Sequence, residues 1–360
     1  MELKISNLIK NEELNNYANG KKLNYKTLID CSDGKNPYGC SKNILQILNK
    51  INMEDITDYS HDNKFKEEIA KYWNIKTNNI VLYDGSIEGL CAVNLLFRTA
   101  NPKLLTFIPH FPDFSNYSKI MGYEHKKILL NRENNYKYDI DEMIRNIDDF
   151  VNVIYIDTPN NPTGQILNKV EAIKLIEYAE KRGIGVIIDE AYGDYVAKEE
   201  SCIDLVNKYN NLLVIRTFSK GFGLAGLRAG YVISNEKVCS YLEKISSPYN
   251  ISLISKKLAI SAIKDIKFLE DCMKKIEKNK IELSKAIQGK LRMAVTHKSA
   301  SICLLYSDND IDLCQKFAEY GIKVYSGNSF EGLGRNSVRL NLPCEEKMEK
   351  LLELIKKFEI

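Results

Sequence analysis

The chain has 360 residues, long enough for one large α/β unit and a smaller one, and its 44% apolar content supports a sizeable core and excludes global disorder. The formal net charge is +3, with lysines and acids interspersed throughout, so no basic face or arginine-rich arm points to nucleic acid. The longest apolar runs, such as residues 91–97, fall far short of a membrane span, and nine cysteines without CxxC pairs or histidines at metal spacing suggest reduced thiols in a cytoplasm and no metal site.

The opening stretch, to about Leu28, is polar and rich in lysine and asparagine, with a weak helical pattern around Leu8 and no signal-peptide core. It reads as an arm. A short strand follows, then a turn at Asn36-Pro37-Tyr38-Gly39, which is expected to line a site entrance. Phe65, Ile69 and Tyr72 stand at helical spacing, with Asp62 as the cap and Tyr59 just ahead of it. Residues 79–97 read as strand, tight turn and helix. Gly85-Ser86-Ile87 opens that helix, where unpaired N–H groups and the positive dipole end would favour an anion. Residues 103–108 form another apolar strand, followed by a turn containing His110 and Phe111.

Residues 151–157 are a β-branched strand closed by TPNNPTG. The helix after it should turn Val170, Ile173, Ile176 and Ala179 inward. The run IGVIID then ends on Asp189, followed by Glu190, Ala191 and Tyr192. Beyond about Ile251 the pattern changes to long helices with short strands between them. Leu269, Cys272, Met273, Ile276 and Leu283 mark one core stripe, and Met348, Leu351, Leu352, Ile355 and Phe358 mark the last.

The most informative stretch is TFSKGFGLAGLRAGY, Thr217 to Tyr231, which follows the buried-strand pattern NLLVIR. Lys220 lies just past a strand end, where open α/β sheets place their ligands. An amine held there can lose its proton and condense with a carbonyl. Thr217, Ser219 and Arg228 could hold an anion beside it. The bland alternative is a glycine-rich loop with a solvated lysine.

Taken in order, NPYG, IDTPNNPTG, GVIIDEAYGDY and TFSKGFGLAGLRAGY resemble the fold-type-I enzymes that use pyridoxal 5′-phosphate (PLP). Within them the chain looks most like class I/II aminotransferases of the histidinol-phosphate subgroup, from Asn36 to Asn341. The resemblance implies an α/β fold with a large, mixed, mostly parallel seven-stranded sheet and a smaller α+β domain. Residues 1–44 would form the arm and part of the small domain, 45–250 the large PLP-binding domain and 251–360 the rest of the small domain.

The same resemblance implies a set of roles. Lys220 joins its amine to the cofactor aldehyde and later moves a proton as general acid and base. Asp189 keeps the pyridine nitrogen protonated, so that the ring draws electrons from the substrate. Asn161 and Tyr192 hold the phenolic oxygen, and Phe111 stacks on the ring. Gly85, Ser86, Ile87, Thr217, Ser219 and Arg228 hold the phosphate, together with the partner subunit's Tyr59, which makes a homodimer with shared sites. Arg339 grips a substrate carboxylate, and Asn36 and Tyr38 line the substrate side. The Asn161–Pro162 bond would be cis.

Two departures bear on the substrate: Lys35 stands where the subgroup carries an acid, and Tyr325 where it carries a phosphate-binding arginine. Arg335 is expected to face water. The implied activity is an aminotransferase moving an amino group between an amino acid or amine and a 2-oxo acid. A PLP-dependent decarboxylase resembling threonine-phosphate decarboxylase, or a β-lyase, is the alternative.

Overall fold

The computed structural model describes residues 5–12, 14 and 26–359. Most of the expected arm lies outside these residues; its described part includes the helix Asn7–Asn11.

The strands are β1 Ile29–Asp30, β2 Ile80–Asp84, β3 Lys103–Ile108, β4 Glu124–Leu129, β5 Val153–Asp157, β6 Gly185–Asp189, β7 Leu212–Thr217, β8 Ala229–Ile233, β9 Arg292–Met293, β10 Ile302–Tyr306, β11 Ile322–Lys323, β12 Tyr325–Ser326 and β13 Ser337–Asn341. Seven of them form one sheet in the order β2-β8-β7-β6-β5-β3-β4. β8 runs antiparallel to both its neighbours, and the pairings from β7 through β4 are parallel. Strands β5 to β8 are buried at every residue, which explains their near-continuous apolar sequences: helices cover both faces, so no polar alternation is needed.

The register sets the site. Asp157 at the end of β5 pairs directly with Asp189 at the end of β6. β7 ends at Thr217, three residues before Lys220. Three neighbouring parallel strands therefore deliver their last residues to one rim, the usual ligand edge of such sheets.

A second sheet, β12-β13-β10-β9, is antiparallel, and β1 pairs with β11 beside it. Its core gathers Ile276, Leu283, Phe317, Leu340, Leu351 and Phe358 from the late helices and strands. The domain division expected after residue 250 does not coincide with a change of core. The helix Leu253–Ile263 buries Leu258, Ala259 and Ala262 with Ile69 and Phe218 of the large core. Both cores meet the helix Ile266–Ala286, whose Leu269 joins the large core and whose Ile276 and Leu283 join the small one.

Two local expectations are corrected. The helix Lys169–Glu180 turns Ala172, Leu175, Ile176 and Ala179 inward, and Val170 is 78% exposed. That helix carries two apolar stripes, and the sheet takes the one at i, i+3, i+4 and i+7. The cis bonds are Ile108–Pro109 and Thr158–Pro159, not Asn161–Pro162. Asp62 does accept from the first helical N–H, that of Lys64 at 3.1 Å, although Asn63 holds the cap position.

Candidate active site

At the rim formed by β5, β6 and β7 lies a cavity of about 480 Å³, within the usual range for small-molecule sites. Lys220, Asp189, Asp157, Asn161, Tyr192, Phe111 and Arg339 all line it. Five separate segments of the chain supply those seven residues.

Two carboxylates form its floor. Asp189, only 3% exposed, accepts hydrogen bonds from the Tyr155 hydroxyl at 2.9 Å and the Ala191 N–H at 3.0 Å. Burial pushes its carboxyl up to about 6, against the pull of those bonds and of the Lys220 charge. Asp157 accepts from the Phe111 N–H at 3.0 Å and the Asn161 N–H at 2.9 Å on one oxygen, and from the Asn160 side-chain amide at 2.8 Å on the other. Burial raises it to about 7, opposed by the same donors. Tyr155 is fully buried and stacks on Phe114 at 3.8 Å, which fixes the hydroxyl aimed at Asp189.

Lys220 reaches the cavity from a loop with a fixed backbone. Its carbonyl accepts from the Tyr195 hydroxyl at 3.2 Å and from the Gly223 N–H at 3.0 Å, and the next carbonyl, Gly221, accepts from the Asn36 amide at 2.6 Å. The ammonium sits 5.2 Å from the centre of the Tyr192 ring. Gly34 comes so close from the other side that an added Cβ would collide with the Tyr192 hydroxyl and stand 3.5 Å from Lys220 Nζ. Tyr192 is 4% exposed, and its hydroxyl has no hydrogen-bond partner among the described residues. A buried, unpaired hydroxyl beside an amine marks a place for a polar group of a ligand.

One end of the cavity is built for an anion. The helix Gly85–Leu96 starts there, with Ser86 and Ile87 in the lining. Gly85 has φ +76°, a conformation that favours glycine, and its open face is covered by the Arg228 guanidinium. Arg228 and Ser219 line the same end. Unpaired helix N–H groups, a hydroxyl and a permanent cation together suit a phosphate.

At the opposite end Arg339 of β13 is 1% exposed. Its guanidinium donates to Asn161 Oδ1 at 3.1 Å and to the Ser32 carbonyl, and lies 4.4 Å from the Tyr325 ring. It thus joins the second sheet to the loop after β5.

The remaining expected site residues lie outside the lining. Thr217 stands behind Ser219, bonded to its hydroxyl at 2.9 Å. Asn36 is buried against Gly221, and Tyr38 meets Asn279 at 3.2 Å; the lining residues of that segment are instead Asp33, Gly34 and Lys35. Tyr59 is 70% exposed, with its ring tilted against that of Tyr249 at 4.7 Å, and it is not part of its own chain's cavity lining. Arg335 pairs with Asp310 at the surface. Sequence reasoning did not single out Asp157, Tyr155 or Asp113. The signal for Asp157 was present: two short apolar runs, VIYID and GVIID, both end in aspartate.

Residues 26–358 match the family described as aminotransferase class I and II. The chain belongs to that family. A histidinol-phosphate aminotransferase of Methanococcus aeolicus is 30% identical over 345 residues, covering 94% of this chain and 92% of its own. The crystal structure of the histidinol-phosphate aminotransferase from Clostridium acetobutylicum superposes with a TM-score of 0.81 at 27% identity, over 91% of this chain and 98% of that one. The Sinorhizobium meliloti enzyme of the same name, solved with pyridoxal 5′-phosphate, reaches a TM-score of 0.84 at 17% identity, over 99% of this chain and 98% of that one.

This aminotransferase is therefore a transaminase of the PLP-dependent, fold-type-I kind, and the residues of its cavity fit that cofactor. The anion end, the amine, the unpaired Tyr192 hydroxyl and the buried Asp189 offer one partner each for a phosphate, an aldehyde, a phenolic oxygen and a protonated ring nitrogen. Among the described residues no cluster of His, Cys, Asp or Glu could hold a metal ion, and no helix is long and apolar enough to cross a membrane.

Proposed function

We propose that this aminotransferase moves an amino group between a primary amine or α-amino acid of histidinol-phosphate-like size and a 2-oxo acid. One observation carries the reading: Lys220, Asp189 and Arg339 face a single cavity from three different segments. PLP supplies an electron sink that makes the substrate α-hydrogen acidic. The chain's own residues do the rest. Asp189 holds a proton on the ring nitrogen by pairing its charge in a dry site. Tyr192 and Asn161 donate to the phenolic oxygen, and Phe111 packs the ring. Ser86, Ile87, Ser219 and Arg228 hold the phosphate, with Gly85 and Thr217 shaping that cradle from behind. Lys220 would hold the aldehyde through its amine, and the same amine is placed to move the proton of the substrate α-carbon.

Arg339 suits an anionic group of the substrate, such as a carboxylate, through its planar fork. Asn36 acts on the substrate side indirectly, by holding the Gly221 carbonyl, and Tyr38 lies further back. Lys35 and Asp33 at the mouth are half exposed and 4.0 Å apart, so either can turn to a charged substrate tail. We further read the working unit as a homodimer in the cytoplasm, in which the partner subunit's Tyr59 completes the phosphate end. Tyr59 and Tyr249, which meet, are exposed, as are Met53 and Ile56 shortly before Tyr59 in the chain, and a second copy would cover such side chains.

The test is a set of half-reactions without acceptor. The loaded protein is mixed with α-amino acids and with phosphorylated amines, histidinol phosphate among them, while cofactor absorbance and released carbon dioxide are followed. A donor that bleaches the cofactor band, leaves no carbon dioxide and regenerates the band with a 2-oxo acid supports the reading. Carbon dioxide released in proportion to substrate, with no need for an acceptor, overturns it in favour of decarboxylation.

A further inference from the structure

Asp157 has no part in the chemistry described above, yet it is a buried carboxylate in the wall of the same cavity, 4% exposed. Its bonds are unusual in where they lead. One oxygen receives the Phe111 N–H, which belongs to the turn after β3, and the Asn161 N–H, which belongs to the turn after β5. The other receives the Asn160 amide. Two loops from different strands, each carrying a lining residue, thus meet on a single side chain.

The surrounding bonds leave little freedom. Asn160 cannot turn its amide round, because its Oδ1 already accepts from the Thr163 N–H at 3.0 Å and hydroxyl at 2.7 Å, while its NH₂ also reaches the Pro109 carbonyl at 3.1 Å. Asp157 therefore faces three donors and no acceptor, which only an ionised carboxylate satisfies in full. Phe111 is braced from behind as well. Its carbonyl accepts from His110 Nδ1 at 2.8 Å; burial lowers His110 to about 4, so the ring is neutral and its Nε2 is left to accept from the Ser115 hydroxyl at 2.8 Å. The Phe111 backbone is held at both its N–H and its C=O.

We propose that Asp157 is a positioning residue: its carboxylate sets the spacing between Phe111 on the face of the bound ring and Asn161 at its edge. The inference rests on the PLP reading of the cavity, in which those two residues touch the cofactor. The carboxylate itself touches neither substrate nor reacting atoms, so its removal should act through cofactor affinity and the electronic state of the bound ring, not through a lost proton carrier. Other charges facing this point are Asp189, in register across the strand, and Lys220, in the same wall.

The experiment is titration of the cofactor-free protein with PLP, for wild type, Asp157→Ala and Asp157→Asn, with the absorbance of the bound cofactor recorded against pH. Loss of the charged acceptor should weaken PLP binding in Asp157→Ala by about ten- to a hundredfold. It should also move the pH at which the bound cofactor changes colour, because Asn161 is no longer held against the phenolic oxygen. Asp157→Asn keeps one acceptor for the two backbone N–H groups but sets an NH₂ against that of Asn160, so it should fall between the two; if Asp157→Ala does not fold, Asp157→Asn against wild type carries the same test. Variants with lowered thermal stability but wild-type affinity and colour change would overturn the proposal. Failure of the wild type itself to take up PLP would instead overturn the underlying reading of the cavity.

Discussion

Two clusters of buried charge lie back to back at the ends of β6 and β7, and they differ in how they are closed. Asp189 and Glu190 are consecutive and so point to opposite sides of the strand end. Glu190 faces a sealed cluster in which Arg216, 2% exposed, donates to Glu190 at 2.9 Å and to Asp194 at 2.5 Å, with its guanidinium 4.7 Å from the Trp73 ring. Asp189 faces the cavity, where its two oxygens meet a tyrosine hydroxyl and a backbone N–H. The first cluster carries its own counter-charge; the second offers a carboxylate to a cation that a ligand would bring. A sealed ion pair is a structural strut, and a buried carboxylate held only by neutral donors at a cavity wall is a candidate for chemistry.

A substitution in each cluster distinguishes strut from site. Asp189→Asn removes the charge on the cavity side, and turnover should fall by about a hundredfold or more, since a buried charge pair of this kind is worth about 3–5 kcal/mol when one partner is removed. The fold should survive. Near-normal turnover would mean that the cavity side needs no carboxylate.

Arg216→Met strikes the sealed side. It strands Glu190 and Asp194 without a counter-charge and should cost about 3–5 kcal/mol of stability in urea unfolding. Activity per folded molecule should change far less than in Asp189→Asn. A stable Arg216→Met protein that has lost activity would invert the assignment of strut and site.

The smallest effect is a pH dependence. Burial raises folded Asp189 from the ordinary carboxylate range to about 6. In the cofactor-free protein the folded state therefore holds this proton more tightly than the unfolded chain does. Stability from this group is fully present below about pH 4 and is lost as pH rises through about 6. Asp189→Asn has no such loss, so its stability relative to wild type should improve by on the order of 2 kcal/mol between pH 4 and 7. The difference between the two proteins is the proper readout, because buried His110 and His125, lowered to about 4 and about 3, oppose the trend in the total. A flat difference across that range would show that Asp189 is not raised.

The site was legible where chemistry and strand pattern coincide. Lys220 and Asp189 each follow an apolar run, and their side chains have no core role at such a position. Asp157 escaped because an aspartate before TPNN looks like an ordinary turn residue; only strand register sets it beside Asp189. Tyr155 escaped because a tyrosine inside an apolar strand reads as packing, and its hydroxyl has a direction only once the sheet is formed. The turn near Asn36 was placed two residues too far along: Gly34 lines the cavity because it has no side chain, which is hard to see in a pattern of side chains. The seven-stranded sheet was legible as a family resemblance, whereas the change of core was not. Helical periodicity shows that Leu258 and Leu269 are buried, but not against which sheet.

The amine of Lys220 is the group on which the proposed chemistry turns. Borohydride reduction of the PLP-loaded protein, followed by peptide mapping, would fix the cofactor to the residue that holds it. A single modified site, Lys220, is expected, with Lys220→Ala leaving no covalently attached cofactor. Stoichiometric attachment to any other lysine, with Lys220 unmodified, would contradict it.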